Sequence, residues 1–163
     1  MKIKLKLARF LINKPDKKSM RNKLSIWILS ITIFAFLFNL AWEVPHSLLY
    51  KTTTEMSQQE FVPRILEAAA GDVIMVLLVF LVISLVNLSF AWSITKKRNA
   101  MLSIILGVAI AVIFEIYAQA TGRFSYLPIM PLIPFTTIGL TPVLQMIFTP
   151  LATFWVAERI NAY

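Results

Sequence analysis

The chain has 163 residues, of which 58% are apolar and 15% are charged, and it carries no cysteine and a formal net charge of +8. Soluble domains usually have about a quarter charged residues and somewhat under half apolar ones, so this composition is typical of a membrane protein. The lack of cysteine excludes disulfides, cysteine zinc sites and cysteine nucleophiles. Four scattered glycines do not form a phosphate-binding loop.

Four apolar segments follow one another, and we interpret them as the spans of an all-α, four-helix polytopic membrane protein. We place them at about residues 24–43, 73–95, 99–121 and 141–158, in one domain covering residues 24–163. A basic tail, residues 1–23, precedes this domain. Leu24 to Trp42 gives nineteen uncharged residues, enough for one crossing at about 1.5 Å per residue. Thr141 and Pro142 suit the N-cap and first turn of the last helix.

Basic residues are distributed unevenly between the two sides of this predicted bundle. The tail carries nine of the sixteen, residues 96–98 are all basic, and the opposite side has only Lys51, Arg64 and Arg123. Because positive residues accumulate on the cytoplasmic side, we expect both termini inside the cell and the protein in the cell (inner) membrane. The first span has no small-x-small cleavage site after it, which favours a retained helix over a signal peptide. The positive charge then faces the lipid bilayer, and no nucleic-acid partner is expected.

Two segments, residues 44–72 and 122–140, are expected on the outer side. The first predicts a short interfacial helix that begins near Pro63 and is ended by Gly71. The second has a proline at every third position from 128 to 134, which predicts a stiff, extended ribbon. Since this ribbon is apolar, we expect it to lie in the outer interface, to re-enter the bundle, or to cover a pocket.

The strongest polar residues of the spans are expected to meet in one pocket open toward the outer leaflet. In the third span, small and polar residues share one helical face: Ser103, Gly107, Ala111, Glu115, Ala118 and Gly122. Such faces pack against neighbouring helices, so Glu115 is directed into the bundle. The other members of the pocket are Glu43, Asp72 and Gln145 near the outer ends of the spans, with His46, Arg123 and Tyr126 in the adjoining segments.

A carboxylic acid in an apolar pocket has its charged form disfavoured, so it can deliver a proton near neutral pH. We predict Glu115 as the acid and Glu43 or Asp72 as the accepting or stabilising carboxylate. Arg123 is expected to bind a headgroup or diphosphate, with Tyr126, Gln145 and His46 also contacting a lipid or isoprenoid substrate.

Each of these residues also has a structural interpretation. Glu115 could form an ion pair with Arg123, Asp72 could cap a helix that starts after Gly71, and His46 could simply belong to an interfacial turn. Gln145 could hydrogen-bond between helices without touching a ligand.

A local resemblance points in the same direction. The run from Glu115 to Tyr126, E-I-Y-A-Q-A-T-G-R-F-S-Y, followed by Gly139-Leu-Thr-Pro142, resembles the acidic–glycine–aromatic and glycine–proline pattern of the integral-membrane lycopene-cyclase and carotenoid-hydratase families. Membrane lycopene cyclases carry adjacent acids after that proline, where this chain has Val143, Leu144 and Gln145. The resemblance implies isoprenoid chemistry inside the membrane. The chain equally resembles small four-span bacterial membrane proteins without an assigned function.

Two other classes of function stay open. Glu43-x-x-His46 has the spacing that places a carboxylate and an imidazole on one helical face, so a single-metal site with Asp72 and Glu115 is a second hypothesis, although Pro45 disfavours a continuous helix there. The third is a non-enzymatic carrier, assembly factor or small subunit that works as a homo-oligomer or in a larger membrane complex. The sequence indicates no particular cofactor.

Overall fold

The computed structural model describes residues 17–161, and this part of the chain is all-helical. We number its helices α1 (Lys17–His46), α2 (Lys51–Thr54), α3 (Gln58–Asn87), α4 (Lys97–Ala120) and α5 (Leu140–Asn161), with a 3-10 turn at Ser47–Leu49. Helices α1, α3, α4 and α5 are long and apolar enough to cross a membrane. The predicted all-α, four-span fold is therefore confirmed. Most of the basic tail, residues 1–16, lies outside the described residues.

The four long helices form an antiparallel bundle in which α1 packs on α3 and α5, and α5 packs on α4. At one end, the Asn161 amide lies 3.3 Å from the Ser30 hydroxyl. At the other end, which carries the loops 47–57 and 121–139 and which we call the hairpin end, Gln145 contacts Glu43. Residues 17 and 161 therefore lie at the same end of the bundle.

An apolar core holds together the half of the bundle that is opposite the hairpin end. The Phe80 ring is stacked on Trp27 and is tilted against Trp92 and Phe154, with ring centroids 5.6–6.4 Å apart. The Trp92 indole also donates to Ser84 Oγ at 2.9 Å. This packing fixes α3 against α1 and α5. Helix α3 packs less extensively on α4 than on α1.

The predicted second span and the predicted interfacial helix are one 30-residue helix, α3. A capping box of Ser57 and Glu60 starts it at Gln58. Gly71 does not end it, because Ile65, Ala69, Val73 and Val76 are buried on one continuous face across that glycine, and this tertiary packing outweighs the low helix propensity of glycine. The helix ends at Asn87 instead of residue 95, since Leu88 adopts a left-handed φ of 50°.

The proline-rich segment is a folded hairpin, so the prediction of a stiff extended ribbon was wrong. Ile133 N donates to Ile138 O at 2.9 Å and Leu140 N donates to Pro131 O at 2.8 Å, which folds the segment back on itself. Its start is tied to the turn after α1 by the bond from Leu127 N to Leu49 O at 2.9 Å. Backbone hydrogen bonds within the segment and to the turn after α1 determine this geometry. They cannot be predicted from the spacing of the prolines.

Helix α5 begins one residue earlier than predicted, at Leu140, with Pro142 in its first turn. Thr141 therefore lies inside the helix and is not its N-cap. Its hydroxyl lies 2.9 Å from His46 Nε2, so it ties α5 to the end of α1.

Candidate functional site

A cavity of about 920 Å³ lies between α3 and α4 near the hairpin end. It is lined by residues from 64–78 of α3 and by residues from 110–123 of α4 and the turn that follows it. Ile74 and Ile113, which are 69% and 68% exposed, stand at its edges, so it opens sideways onto the apolar outer surface of the bundle. Its volume is at the upper end of the range of roughly 300–1,000 Å³ that is usual for ligand pockets.

Three helices bring two carboxyl groups together on one amide in this cavity. The Nε2 atom of Gln145 on α5 lies 2.7 Å from Asp72 Oδ2, 3.0 Å from Glu43 Oε1 and 3.0 Å from Asn39 Oδ1. An amide nitrogen has two hydrogens, so it cannot satisfy three acceptors at once. The interhelical role expected of Gln145 is thus present, and the same atom links the two acids.

Asp72 lies well inside α3, fourteen positions after its first residue. The interpretation of Asp72 as a helix cap was therefore wrong. The reason is the early start of α3 at its Ser57 capping box, which carries the helix through Gly71 and turns Asp72 toward Gln145.

Glu115 reaches the same cavity from α4 on the opposite wall. The residue is 3% exposed, and its Oε2 atom is buried without a hydrogen-bond partner among the residues that the structure describes. Leaving such an acceptor unpaired costs about 1–3 kcal/mol.

The ion pair considered between Glu115 and Arg123 is not formed: within residues 17–161, the ion pairs within 4.0 Å involve neither side chain. The Arg123 guanidinium lies instead 6.0 Å from the centre of the Phe114 ring. Helix α4 ends at Ala120 and Gly122 then turns the backbone with φ 66°, which carries Arg123 to the exposed rim of the cavity.

His46 is buried and connects the carboxyl groups to the surrounding hydroxyls. Its Nδ1 lies 3.5 Å from Glu43 Oε1, and its Nε2 lies 2.9 Å from the Thr141 hydroxyl and 3.2 Å from the Tyr50 hydroxyl. Helix α1 continues through Pro45 to His46, so the expected break at that proline does not occur. When Nε2 accepts from one of these hydroxyls, Nδ1–H points at Glu43.

Tyr50 is a site residue that sequence reasoning missed. It lines the cavity, and burial, followed by the nearby charges of Glu115 and Glu43, raises the pKa of its hydroxyl well above the usual range. The hydroxyl therefore stays protonated and can donate to His46. The one sequence signal is its position four residues after His46, and that signal is weak because Tyr50 lies beyond the end of α1.

Tyr126, which was expected to contact a substrate, is not among the residues that line the cavity. Its hydroxyl lies 3.1 Å from Gly139 N and 3.3 Å from Gln119 Nε2, and its ring packs on Tyr50 at 5.4 Å. Tyr126 therefore holds the hairpin against the bundle. No residue from 125–139 lines the cavity, so the hairpin does not cover it.

The metal hypothesis gains no support from this arrangement. Among residues 17–161, no group of three or more His, Cys, Asp or Glu side chains is placed to hold a metal ion. Glu43 and His46 do share one helical face, but Asp72 and Glu115 do not complete a set of ligands with them.

Comparison of the chain with protein-family models, with curated proteins and with solved structures finds no match. An assignment of function therefore rests on the geometry of the cavity and its side chains.

Proposed function

We propose that this protein binds a lipid or isoprenoid in the cavity between α3 and α4 and acts on it by carboxyl acid/base chemistry. In this proposal the cavity belongs to the outer leaflet of the inner membrane, with both termini in the cytoplasm, as the distribution of basic residues predicts. The observation that carries the proposal is a sideways-opening cavity with apolar walls whose lining includes the carboxyl side chains of Glu43, Asp72 and Glu115, besides Glu67 at the exposed rim. A water-soluble substrate would not require an opening toward lipid.

Glu115 is the proposed acid, because its side chain lines the cavity from α4 and forms no ion pair among residues 17–161. A protonated Glu115 would donate its proton to an ester, phosphoester or double bond of the ligand. Glu43 and Asp72 face it across the cavity and would accept a proton or stabilise developing positive charge.

The neighbouring side chains position these groups. Gln145 holds Glu43 and Asp72 together, and His46 orients Glu43 from the other side. Arg123 would contact the ligand at the rim, while Tyr126 acts indirectly by holding the hairpin.

Replacing Glu115 with glutamine tests the acid role. Glu115→Gln keeps the size and polarity of the side chain and removes its acidic proton, so we expect the bound amphiphile to be retained and its conversion to stop. The measurement is native mass spectrometry of the protein released from mild detergent, with the bound material extracted and identified. The expected result is accumulation of an unconverted species in Glu115→Gln compared with wild type.

The matched control is Glu55→Gln, an exposed acid that pairs with Lys51 and is absent from the cavity lining. It should carry the same bound material as wild type. Identical bound species and amounts in Glu115→Gln and wild type would contradict the acid role.

A carrier or assembly subunit without chemistry is the second candidate. The same cavity favours it, since binding requires only the apolar walls and the polar end. In that case Glu115→Gln changes how much ligand is bound but never its chemical identity, so the same experiment separates the two functions.

A further inference from the structure

The two ends of the cavity differ in chemistry. At the hairpin end its lining includes Arg64 and Arg123, with Glu67, Thr52 and Thr53. Toward the middle of the bundle its lining is aliphatic and reaches Leu78. Arg64 and Leu78 are fourteen residues apart on one helix, about 21 Å at 1.5 Å per residue. The cavity therefore has one end that carries two arginines and one glutamate, and another end that is apolar.

The two arginines come from opposite walls and are only lightly engaged by protein groups. Arg64 lies 3.2 Å from Glu67, which is itself two-thirds exposed. In the described part of the chain Arg123 has no acidic side chain within ion-pair distance. Its contact is the face of Phe114, which orients the guanidinium without neutralising it.

On the α3 wall the carboxyl group lies deeper than the arginine, because Asp72 follows Arg64 by eight positions on one helix, which corresponds to about 12 Å. On the other wall the chain turns at Gly122 after the end of α4, and the Arg123 guanidinium returns to the ring of Phe114, the residue before Glu115. An anionic group held at Arg64 is thus kept away from Asp72.

From this polarity we infer that the ligand carries a phosphate-bearing, anionic headgroup and binds in one register. The phosphate lies between Arg64 and Arg123, and the chains leave sideways between α3 and α4 into the bilayer. Arginine suits this role because its planar group donates two parallel hydrogen bonds to phosphate oxygens. The inference rests on the ligand binding in the proposed function and adds the headgroup class and the orientation.

The position of the headgroup also determines which bond of the ligand lies near the carboxyl groups. With the phosphate at the arginines, Glu115, which follows Phe114 directly on α4, is the acid nearest in sequence to the Arg123 contact and would face the junction between headgroup and chain. The bond acted upon is therefore close to the headgroup and not in the middle of a long chain.

Binding of defined lipids tests this inference. The purified full chain is delipidated and offered phosphatidylglycerol, phosphatidylcholine, diacylglycerol or inorganic phosphate, and the retained ligand is measured by native mass spectrometry. The variants are Arg64→Gln with Arg123→Gln, and as a matched control Lys51→Gln, an exposed lysine at the same end that does not line the cavity. We expect wild type and Lys51→Gln to retain phosphatidylglycerol over diacylglycerol, and the double variant to lose about tenfold or more of that preference.

The possible outcomes separate this inference from the proposed function. Equal retention of phosphatidylglycerol and diacylglycerol by wild type would overturn the headgroup inference while lipid binding stands. Equal loss in Lys51→Gln would overturn it too, because general surface charge would then explain the preference. Inorganic phosphate binding as tightly as phosphatidylglycerol would overturn the lipid register. Retention of no lipid by wild type would overturn the proposed function itself.

Discussion

The single amide of Gln145 decides how the acids of this protein are arranged. It reaches Glu43 on α1, Asp72 on α3 and also Asn39, so three helices depend on one side chain at the level of the cavity. The sequence indicated that these polar groups would lie near one another, because each falls near the same end of its span. It could not indicate the shared amide, since that depends on the rotation of each helix about its axis.

Removal of this amide should destabilise the fold. In Gln145→Leu the acceptors of Asn39, Glu43 and Asp72 lose their common donor, and each buried unsatisfied group costs about 1–3 kcal/mol. We expect a loss of roughly 1–3 kcal/mol in the free energy of unfolding, measured by thermal unfolding in detergent with circular dichroism. The same substitution at Gln59, which is exposed on α3, should stay within about 0.5 kcal/mol of wild type. Equal stability of the two variants would refute the linking role of Gln145.

The third span is the element that sequence analysis described best. Ser103, Gly107, Ala111, Glu115 and Ala118 are all buried on one face of α4, as their spacing predicted, and only Gly122 falls outside because it lies beyond the helix end. The buried face of a helix can be predicted from the spacing of its small and polar residues, because this spacing depends on one helix alone. The boundary errors in α3 and the hairpin arose where packing or backbone pairing with distant residues decided the structure.

Close approach of α4 and α5 depends on Gly107. A methyl group there would overlap the carbonyl oxygen of Met146. Pro150, four residues after Met146 within α5, has no N–H to occupy that carbonyl, so the oxygen is left facing the glycine.

Two identical substitutions should therefore have opposite effects on stability. Gly107→Ala must push the helices apart, and we expect it to cost about 1–3 kcal/mol. Gly71→Ala meets nothing within 4 Å and replaces a glycine within a helix, so it should add roughly 0.5–1 kcal/mol. Thermal unfolding of both variants in one detergent checks the pair, and a Gly107→Ala variant as stable as Gly71→Ala would contradict the packing described for α4 and α5.

At the scale of the whole molecule, the helix pairs α1–α3, α1–α5 and α4–α5 pack extensively. The interface between α3 and α4 is partly open and contains the cavity. The aromatic core around Phe80 packs the half of the bundle that is opposite the hairpin end. The cavity between α3 and α4 therefore lies toward the hairpin end. The four spans could be predicted from uncharged runs of sufficient length. The open interface could not, because it results from the sum of all pairwise helix contacts.

Gly71 offers the most direct test that the cavity holds an amphiphile. It lines the cavity, and a Cβ atom placed there meets no neighbouring atom within 4 Å, so Gly71→Leu introduces a larger apolar side chain at a position with open space beside the helix. Native mass spectrometry of wild type, Gly71→Ala and Gly71→Leu from the same mild detergent compares their bound lipid. We expect wild type and Gly71→Ala to carry the same amount of an amphiphile and Gly71→Leu to carry less of it, with the folded state of all three checked by circular dichroism. An equal amount of the same amphiphile on Gly71→Leu would contradict this expectation.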